Sequence, residues 1–534
     1  MECCSNLDSE SSSSSSFAQS ITPSITPSIT PSITSPAQSY EEPLLWDYPS
    51  SEGSGVDLEP LRGLETRAGL RTGLTERQNI GLPSLKEPQV LRHFVRLSTH
   101  NFSIDHGFFP LGSCTMKHNP RVNEKMARLN GFANIHPLQP TSTIQGALAV
   151  MAELQRWLGE LTGLQHVCLT PAAGAHGELA GLMTIRRAHE LNGQHQRHIV
   201  LCPDSAHGTN PATATLCGYQ IRTIPTLENG CVTLDNFRAA LTQTDPLGRD
   251  VAAMMVTNPN TCGLFEREIA RCADELHRAG GYFYCDGANF NALVGRVRPA
   301  DFGVDVMHIN LHKTFSTPHG GGGPGSGPIC VGDALAPFLP TPRVVKDGEG
   351  WRLESHGDRS ENCGRMKGFH GHFGMFVRAL CYMLSHGRDG LASVSRDAVL
   401  SANYLLSALK NEFNAPFGDR LCMHECVLSD KLQKQGNPHP ITTIDIAKSL
   451  IENGIHPMTI YFPLVVAGAM LIEPTETESK ATLDQFIAVM KRIAQQAQSE
   501  QAAQLCSNPQ TAFRTRIDEV GAARRPKLRH RLSD

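Results

Sequence analysis

The sequence predicts an α/β protein with a mostly parallel central sheet, helices on both faces of that sheet and a smaller C-terminal α+β domain. From residue 141 onward, short apolar runs alternate with amphipathic helical patterns, which is typical of a parallel sheet covered by helices. Several of these runs end in polar residues, as expected where strands present side chains to a ligand crevice. After a proline-rich stretch at 336–344, shorter strand and helix patterns indicate the second domain.

The elements of the large domain follow in order along the chain. Ser142 to Gln145 reads as a capping box ahead of an apolar stripe that ends at Gly163, which predicts the first strong helix. The apolar runs predicted as strands are Val167–Leu169, His198–Cys202, Val251–Val256, Tyr282–Cys285, Val304–Leu311 and Ile329–Val331. Helical patterns separate most of them, and one such helix stops at Gly280. From Leu421 onward, mixed short strands and helices indicate the smaller domain.

Composition divides the chain of 534 residues into four parts. Residues 1–86 contain the serine run Ser11–Ser16 and a repeated Ile-Thr-Pro-Ser motif, which predicts a disordered Ser/Pro-rich extension without a core. We assign 87–140 to an N-terminal arm, 141–340 to a large cofactor-binding domain, and 341–534 to the small C-terminal domain with a basic tail. With 40% hydrophobic residues, the ordered part can bury a large core.

Charge and cysteine usage exclude several classes of protein. A net charge of −4 gives no reason to expect nucleic acid as a partner, and the least polar run, Phe462–Ile472, is too short to span a membrane. The N-terminus lacks an apolar signal segment, and the 16 cysteines contain no CxxC pair, so we expect reduced thiols and a cytoplasmic location. Cys422, His424 and Cys426 lie too close together to suit one tetrahedral metal, so we expect no metal site.

Two of the predicted strands end in an acid and an amine. The run Tyr282–Cys285 stops at Asp286, and the run Val304–Leu311 stops at His312 and Lys313. Pyridoxal phosphate chemistry needs a lysine that forms a Schiff base with the cofactor aldehyde and a carboxylate that keeps the pyridine nitrogen protonated. We therefore predict that Lys313 is the covalent anchor and that Asp286 is the partner of the pyridinium nitrogen.

Both residue types also have ordinary structural roles. An acid at a strand end is often a turn residue, and a lysine is usually a solvated charge, so neither Asp286 nor Lys313 is specific alone. Lys117 is a second candidate for the Schiff base, but it lies in a loop before the first strand and opposite no acid. The loop Gly320–Gly327 suggests nucleotide binding, but it lacks the Gly-Lys-Ser/Thr ending of a P-loop.

Further residues are predicted to bind the same cofactor. The small residues around Gly174 and Ala175 precede a helix, where free backbone N–H groups favour a phosphate. His207 follows a strand, and its imidazole is predicted to stack on the pyridine ring in a catalytic role, with His176 as the second choice. Together with Lys313 and Asp286, the residues predicted to bind the cofactor are Gly174, Ala175, His176, His207, Asn258, Ala288, His312 and Thr314.

Long motifs in the chain resemble one family. These motifs are GFFPLGSCTMKHNP, TPAAGAHGELAGL, DSAHGTNPA, NPNTCGLFE, CDGANFNALVG, HINLHKTFSTPHGGGGPGSGP and IEPTETES. They are similar to the P-protein of the glycine cleavage system, glycine dehydrogenase (decarboxylating), and specifically to its C-terminal half, which many bacteria make as a separate second subunit. The resemblance covers roughly Glu87 to Leu532 and implies a fold-type-I, transferase-like enzyme dependent on pyridoxal 5′-phosphate, with the Schiff-base lysine at Lys313. The segment His370–Gly374 and Cys426 depart from the family's usual pattern.

The resemblance also implies a function and partners. It implies decarboxylation of glycine and transfer of the remaining aminomethyl group to the lipoyl arm of H-protein, together with a first subunit in a heterotetramer of two plus two. A lipoyl channel could be lined by Gly320–Gly327 or by the arm near Cys114. Arg359, Arg365 and Arg378 are not assigned to the glycine carboxylate, because a tight arginine clamp would oppose decarboxylation.

Two alternatives remain open at the level of the sequence. Another fold-type-I enzyme, an aminotransferase or an amino-acid decarboxylase, would keep Lys313 and Asp286 without needing a lipoyl partner. A noncatalytic scaffold subunit is the second alternative, because the family's first subunit lacks the lysine. The presence of Lys313 argues against a scaffold role for this chain.

Overall fold

The computed structural model describes residues 42–48, 82–226, 229–320, 325–436 and 438–528. Its strands are β1 His166–Cys168, β2 Ile199–Pro203, β3 Gln220–Ile224, β4 Val251–Thr257, β5 Tyr282–Gly287, β6 Val306–Ile309, β7 Ile329–Val331, β8 Arg343–Asp347, β9 Gly350–Glu354, β10 Cys426–Ser429, β11 Thr459–Ile460 and β12 Ala469–Ile472. Its helices are α1 Glu87–Thr99, α2 Arg121–Ala127, α3 Asn130–Ala133, α4 Gln145–Thr162, α5 Gly174–Leu191, α6 Thr209–Leu216, α7 Leu234–Leu241, α8 Ile269–Arg278, α9 Leu311–Thr314, α10 Phe373–Leu409, α11 Lys431–Lys434, α12 Thr443–Glu452, α13 Lys480–Ala497, α14 Ala502–Leu505 and α15 Glu519–Arg524.

The central sheet has the strand order β1-β7-β6-β5-β4-β2-β3. Strands β6, β5, β4, β2 and β3 run parallel, whereas β7 pairs antiparallel with both β1 and β6 at one edge. The register places Thr257 of β4 beside Asp286 of β5, and Asp286 beside His308 of β6. Three polar residues therefore lie side by side near the carboxyl ends of adjacent strands, where ligands bind in this kind of sheet.

Helices cover both faces of the central sheet. Neighbouring residues of β4 alternate between two apolar clusters, because successive strand residues point to opposite faces. Met254 packs into the cluster that includes α4, α7, α8 and the first part of α10, and Met255 packs into the cluster that includes α5 and α6. All seven residues of β4 are buried, which explains why this strand is an apolar run rather than an alternating pattern.

The C-terminal part of the chain forms a second layer around a three-stranded antiparallel sheet with the order β10-β12-β11. Its core contains residues from α12, α13, α14 and the last turns of α10, including Leu405, Phe486 and Met490. Helix α10 is interrupted at Gly387, where the backbone leaves the helical conformation. The long helix α10 therefore contributes to the cores of both the central and the small sheets.

The predicted fold class is confirmed, and two local predictions differ from the structure. Helix α4 begins at Gln145 rather than near Ser142, and no side chain caps it, so the predicted capping box is wrong. Thr141–Thr143 instead forms a 3-10 turn, and the side-chain oxygen of Gln145 accepts a hydrogen bond of 2.8 Å from the backbone of Trp351. Strand β6 ends at Ile309, so Lys313 lies on the short helix α9 immediately after the strand.

A short piece of the predicted N-terminal extension lies against helix α1. The carboxylate of Glu42 accepts hydrogen bonds from Arg96 and from Tyr48, and it lies 3.0 Å from His93 Nδ1. The remainder of the predicted disordered extension, apart from 82–86, lies outside the described residues. Among the residues that the structure describes, no helix combines the length and apolar character that a membrane span requires.

Candidate active site

A cleft opens at the carboxyl ends of the central strands. Its walls come from the loops after β2, β4, β5 and β6, from the first turns of α5, and from the N-terminal arm. The lining residues are Ser113, Gly174, Ala175, Glu178, His207, Thr209, Thr257, Thr261, Asp286, Ala288, Asn289, His308, Asn310 and Lys313. Lys313 and Asp286 thus face the same cleft.

Asp286 lies at the end of β5 and is almost completely buried, with 3% of its surface exposed. Its Oδ2 accepts a hydrogen bond of 2.9 Å from Asn210 Nδ2, and its Oδ1 accepts one of 2.8 Å from the backbone N–H of Ala288. Burial acts to raise the pKa of Asp286, but the charge of His308, these two hydrogen bonds and the charge of Lys313 together hold it below its ordinary value. The carboxylate is therefore kept ionised in a buried position.

His308 lies behind this carboxylate on strand β6. Its Nε2 is 3.3 Å from Asp286 Oδ1, and its Nδ1 is 2.8 Å from the hydroxyl of Tyr284. Burial raises the pKa of Tyr284 well above its ordinary value, so the phenol keeps its proton. The imidazole of His308 therefore lies between Asp286 and Tyr284 and contacts both of them.

Lys313 reaches the cleft from helix α9, immediately after β6. Its Nζ donates a hydrogen bond of 2.6 Å to the backbone carbonyl oxygen of Ser113 in the N-terminal arm. An amine at the end of one strand and a carboxylate at the end of the neighbouring strand are thus presented to one ligand volume. This is the arrangement that a covalently bound, protonated heterocycle requires.

The first turn of α5 contains two glycines, Gly174 and Gly177, and forms a cradle at one wall of the cleft. The helix begins at Gly174 without a capping side chain, so its first backbone N–H groups have no partner within the helix. A Cβ atom on Gly174 would lie 2.6 Å from Asn310 Nδ2, and a Cβ atom on Gly177 would lie 2.6 Å from the carbonyl oxygen of Gly327. A side chain at position 177 would therefore collide with the backbone, and the exposed dipole at this helix start favours an anion.

His207 stands at the rim of the cleft and is largely exposed. Its Nδ1 lies 2.8 Å from the hydroxyl of Thr209, whose oxygen in turn donates a hydrogen bond of 2.7 Å to Glu178 Oε1. Phe462 packs edge-on against the imidazole, with the ring centroids 5.7 Å apart. These contacts fix the orientation of a flat ring beside the cleft.

Comparisons with known proteins agree with this geometry. The family model "Glycine dehydrogenase, C-terminal domain" matches residues 394–512, and the model "Aminotransferase class-V" matches residues 180–322. A probable glycine dehydrogenase (decarboxylating) subunit 2 of Caulobacter vibrioides is 54% identical over 493 residues, which cover 92% of this chain and 92% of that relative. The chain belongs to the glycine dehydrogenase (decarboxylating) subunit 2 family. A Listeria monocytogenes relative of the same name is 51% identical over 449 residues, covering 84% of this chain and 89% of the relative.

A solved structure supports the fold assignment of this subunit 2 family member. Glycine decarboxylase (P-protein) of the glycine cleavage system, in an inhibitor-bound form, has a TM-score of 0.63 and 22% identity, and the alignment covers 80% of this chain and 93% of that one. At this identity the likeness shows the fold alone. The fold-type-I, transferase-like prediction is thereby confirmed.

The cofactor of this subunit 2 family member is pyridoxal 5′-phosphate, as predicted. The residues of the cleft fit that molecule. The glycine cradle at the start of α5 suits the phosphate, and the buried, ionised Asp286 suits a protonated ring nitrogen. Thr257 lines the same cleft, and its buried hydroxyl has no hydrogen-bond partner in the described protein, which leaves a donor for a ligand.

Not every predicted cofactor residue of this subunit 2 family member lines the cleft. Gly174, Ala175, His207, Ala288, Asp286 and Lys313 do so. The other four predicted residues lie just outside the lining. His176 Nδ1 accepts a hydrogen bond of 3.1 Å from the backbone N–H of Ala172, and His312 Nδ1 accepts one of 3.2 Å from that of Ser326. Thr314 is buried and its hydroxyl has no partner in the described protein.

Asn258 is the fourth predicted residue outside the lining, and its side chain supports the loop after β4. Its Oδ1 accepts a hydrogen bond of 3.0 Å from the backbone N–H of Glu266. The neighbouring residue, Thr257, lines the cleft instead. Successive residues of an extended strand point to opposite faces. A prediction that is one position too late therefore names Asn258 instead of Thr257.

Lys117, the second candidate for the covalent lysine, is engaged in a different place. It is 3% exposed, and its Nζ donates to Asn291 Oδ1, Thr314 O, Tyr382 Oη and Glu476 Oε1 at 2.7–3.1 Å. Burial lowers the pKa of Lys117, and the charge of Glu476 counteracts that effect. With four partners and no place in the cleft lining, Lys117 connects the arm to the rest of the protein.

The three arginines that the sequence left unassigned also lie outside the cleft lining. Arg378 forms a bidentate pair with Glu124, and Arg359 lies 2.9 Å from Glu354. Arg365 donates to the backbone carbonyl of Gly368 at 2.8 Å. Among the described residues, Lys313 is the only lysine or arginine in the lining of the cleft.

Sequence reasoning missed several lining residues that carry chemistry. His308 had a detectable signal, since an imidazole interrupts the apolar run of a buried strand. Asn210 lies outside the lining but donates to Asp286, and it also had a signal, because it stands three positions after His207. Asn289 had none, since a loop contact brings it to the site, whereas Ser113 lies next to Cys114, in the arm that the sequence offered as a channel wall.

Proposed function

We propose that this chain catalyses the pyridoxal phosphate-dependent decarboxylation of glycine, as the second subunit of a glycine cleavage P-protein. The observation that carries the proposal is the pairing of Lys313 with the buried, ionised Asp286 in one cleft, in a chain 54% identical to a probable glycine dehydrogenase (decarboxylating) subunit 2. Burying a charge costs free energy, and in a noncatalytic scaffold subunit no activity would offset that cost.

Each of the main residues of the cleft would have a distinct role. Lys313 would hold the cofactor covalently, Asp286 would hold its ring nitrogen protonated, and His207 would stack on the ring. The first turn of α5 would bind the phosphate. When bound, pyridoxal phosphate supplies an electron-withdrawing ring that accepts the electron pair left behind when a carboxylate departs as CO2.

The charge of the cleft suits decarboxylation. Among the described residues, no arginine lines it, so the substrate carboxylate is not held by a fixed bidentate cation. A clamp of that kind would stabilise the ground state more than the transition state, in which the carboxylate loses its charge. The absence of such a clamp from the lining favours loss of CO2 over transamination.

We assign the partners from the same family. The aminomethyl group would pass to the lipoyl arm of H-protein, and the chain would assemble with a first subunit as two plus two. The open rim at His207 would give a protein-borne arm a route to Lys313. Of the stretch Gly320–Gly327, which the sequence offered as a channel wall, residues 321–324 lie outside the described residues. A cytoplasmic location fits the cysteines, since every one that the structure describes is a free thiol.

The test is glycine-dependent exchange of labelled CO2 with four mixtures: the chain alone, with subunit 1, with lipoylated H-protein, and with both. We expect full exchange only in the last mixture. A matched reaction with H-protein lacking its lipoyl group should reduce exchange to the level without H-protein. Exchange that ignores H-protein would identify a simple decarboxylase, and absence of both exchange and a visible cofactor band in every mixture would identify a scaffold.

A further inference from the structure

The arm segment around Ser113 and Thr115 lies beside Lys313. Both residues adopt left-handed backbone conformations, with φ of 60° and 46°, which residues other than glycine rarely adopt. The carbonyl oxygen of Ser113 accepts the hydrogen bond from Lys313 Nζ. The conformation of this segment therefore decides where the acceptor for the lysine stands.

Two glutamates hold these two residues. Glu425 Oε2 accepts hydrogen bonds from the backbone N–H of Ser113 at 2.7 Å and from its hydroxyl at 3.2 Å. Glu473 accepts hydrogen bonds from the backbone N–H of Thr115 at 3.0 Å and from its hydroxyl at 2.6 Å. Each carboxyl group thus binds one strained residue through both of its donors, which offsets the cost of the left-handed backbone.

Both glutamates come from the small sheet. Cys426 of β10 pairs with Ile472 of β12, so Glu425 and Glu473, the next residues outward, lie beside each other at the end of this antiparallel pair. Both side chains are fully buried. Burial raises the pKa of Glu473 to about 7, and burial together with the charge of Glu473 raises that of Glu425 well above its ordinary range. The pair therefore retains a proton near neutral pH.

A metal ion is the competing occupant of this place. His424, Glu425 and Glu473 each present a ligand atom within 4.8 Å of the others, and both ring nitrogens of His424 have no hydrogen-bond partner in the described protein. However, the N–H and O–H groups of Ser113 and Thr115 point at the carboxylate oxygens that a cation would need. These donors favour the arm over a cation.

We propose that Glu425 and Glu473 are positioning residues for the reaction: they fix the Ser113 carbonyl, and through it the side-chain nitrogen of Lys313. This inference rests on the proposed covalent role of Lys313. It assigns to the small domain a direct influence on the reacting amine, which the cleft lining alone does not reveal.

The interaction between Glu473 and the nitrogen of Lys313 predicts a change of definite direction that can be measured. Among the described residues, the titratable groups that interact with the pair or with its neighbour Lys313 are Cys114, Lys117, Cys262, Lys313, Cys422, His424, Cys426 and Glu476. Above about pH 7 Glu473 carries a negative charge, which stabilises the protonated form of the nearby lysine nitrogen. A glutamine at this position cannot do so. The nitrogen should then lose its proton at a lower pH.

The experiment uses the full chain with bound pyridoxal phosphate and its partner proteins. The variants Glu425→Gln and Glu473→Gln are compared with wild type in two measurements: the visible absorbance band of the lysine-bound cofactor as a function of pH, and kcat and KM for glycine exchange. We expect Glu473→Gln to lower the pH midpoint of the band by about one unit. Both variants should lower kcat about 10- to 100-fold, because the amine is displaced.

Glu266→Gln is the matched control. Glu266 is also buried, and its carboxyl accepts hydrogen bonds from the backbone N–H of Val232 at 2.9 Å and from Asn260 at 2.7 Å. Neither of these partners in the described part of the chain belongs to the arm, so the variant should keep the wild-type midpoint. If a glutamate variant fails to fold, Thr115→Val removes the same hydroxyl contact from the arm and should lower kcat in the same direction.

Either of two results would overturn the inference: an unchanged midpoint in Glu473→Gln, or an unchanged kcat in Thr115→Val. Failure of the underlying function gives a different pattern. If Lys313 does not hold the cofactor, Lys313→Ala will keep the visible band. If Lys313→Ala loses the band while Glu473→Gln leaves the midpoint unchanged, only the positioning role is wrong.

Discussion

Replacement of Asp286 by asparagine tests the electrostatic centre of the cleft. Asparagine has nearly the same shape, so the variant should fold and still bind pyridoxal phosphate. It removes a buried negative charge that three neighbours hold in the ionised form: Asn210, His308 and the backbone N–H of Ala288. The variant therefore changes the charge opposite the cofactor ring while leaving the cleft walls in place.

The expected magnitude follows from Coulomb's law. Two unit charges about 4 Å apart at an effective dielectric constant of about 20 interact by about 4 kcal/mol. Loss of that interaction in the transition state corresponds to a decrease of about 10³-fold in kcat, since about 1.4 kcal/mol is worth a factor of ten. The effect should appear in kcat, because the charge matters most when electrons move into the ring.

The assay is glycine-dependent CO2 exchange with saturating H-protein, and cofactor content is measured on the same samples. Asp301→Asn is a suitable control, because Asp301 forms an exposed ion pair with Arg298 and should behave as wild type. An Asp286→Asn enzyme with full cofactor content and exchange within a few-fold of wild type would refute the role of Asp286. Loss of cofactor binding would show instead that Asp286 acts mainly in affinity.

Three further predictions concern single residues. Lys313→Ala should lose both the visible cofactor band and exchange, whereas Lys117→Met should keep the band but melt at a lower temperature; a band retained by Lys313→Ala would contradict the assignment. His308→Gln removes one influence that lowers the pKa of Asp286, so the acid limb of the kcat–pH profile should move to higher pH, and an unmoved limb would exclude this role. Burial raises the pKa of Glu266 to about 7, so the folded state keeps a proton that the unfolded state releases above about pH 4.5. Unfolding free energy should therefore fall by about 3 kcal/mol between pH 4.5 and 7, and Glu266→Gln should weaken this fall in thermal unfolding at pH 5 and 8; equal pH dependence in both proteins would contradict it.

Local patterns of the sequence predict much of the fold. Strand β4 is an unbroken apolar run because both of its faces are covered, and such a run between helical patterns predicts a buried parallel strand. The placement of Asp286 and Lys313 at one cleft could be predicted because each stands at or shortly after the end of a buried run. Their chemistry is local in sequence, and the parallel sheet brings such strand ends to one edge.

The remainder of the site depends on contacts that no local pattern encodes. Ser113 meets Glu425 across 312 positions, and Thr115 meets Glu473 across 358 positions. These pairs depend on how the small sheet packs against the arm, and periodicity carries no information about that packing. The predicted capping box at the start of helix α4 was wrong for a related reason. The side chain of Gln145 instead accepts a hydrogen bond from the backbone of the distant Trp351.

The contact between Glu42 and helix α1 bears on how a shortened form of the protein should be designed. Composition alone suggests removing everything before Glu87, yet that cut would delete the carboxylate that neutralises Arg96 and covers the buried ring of His93. In the trimmed chain, Arg96 and His93 would lose the negatively charged partner that Glu42 provides. Expression work should therefore retain residues 42–48 even where the serine-rich leader is removed.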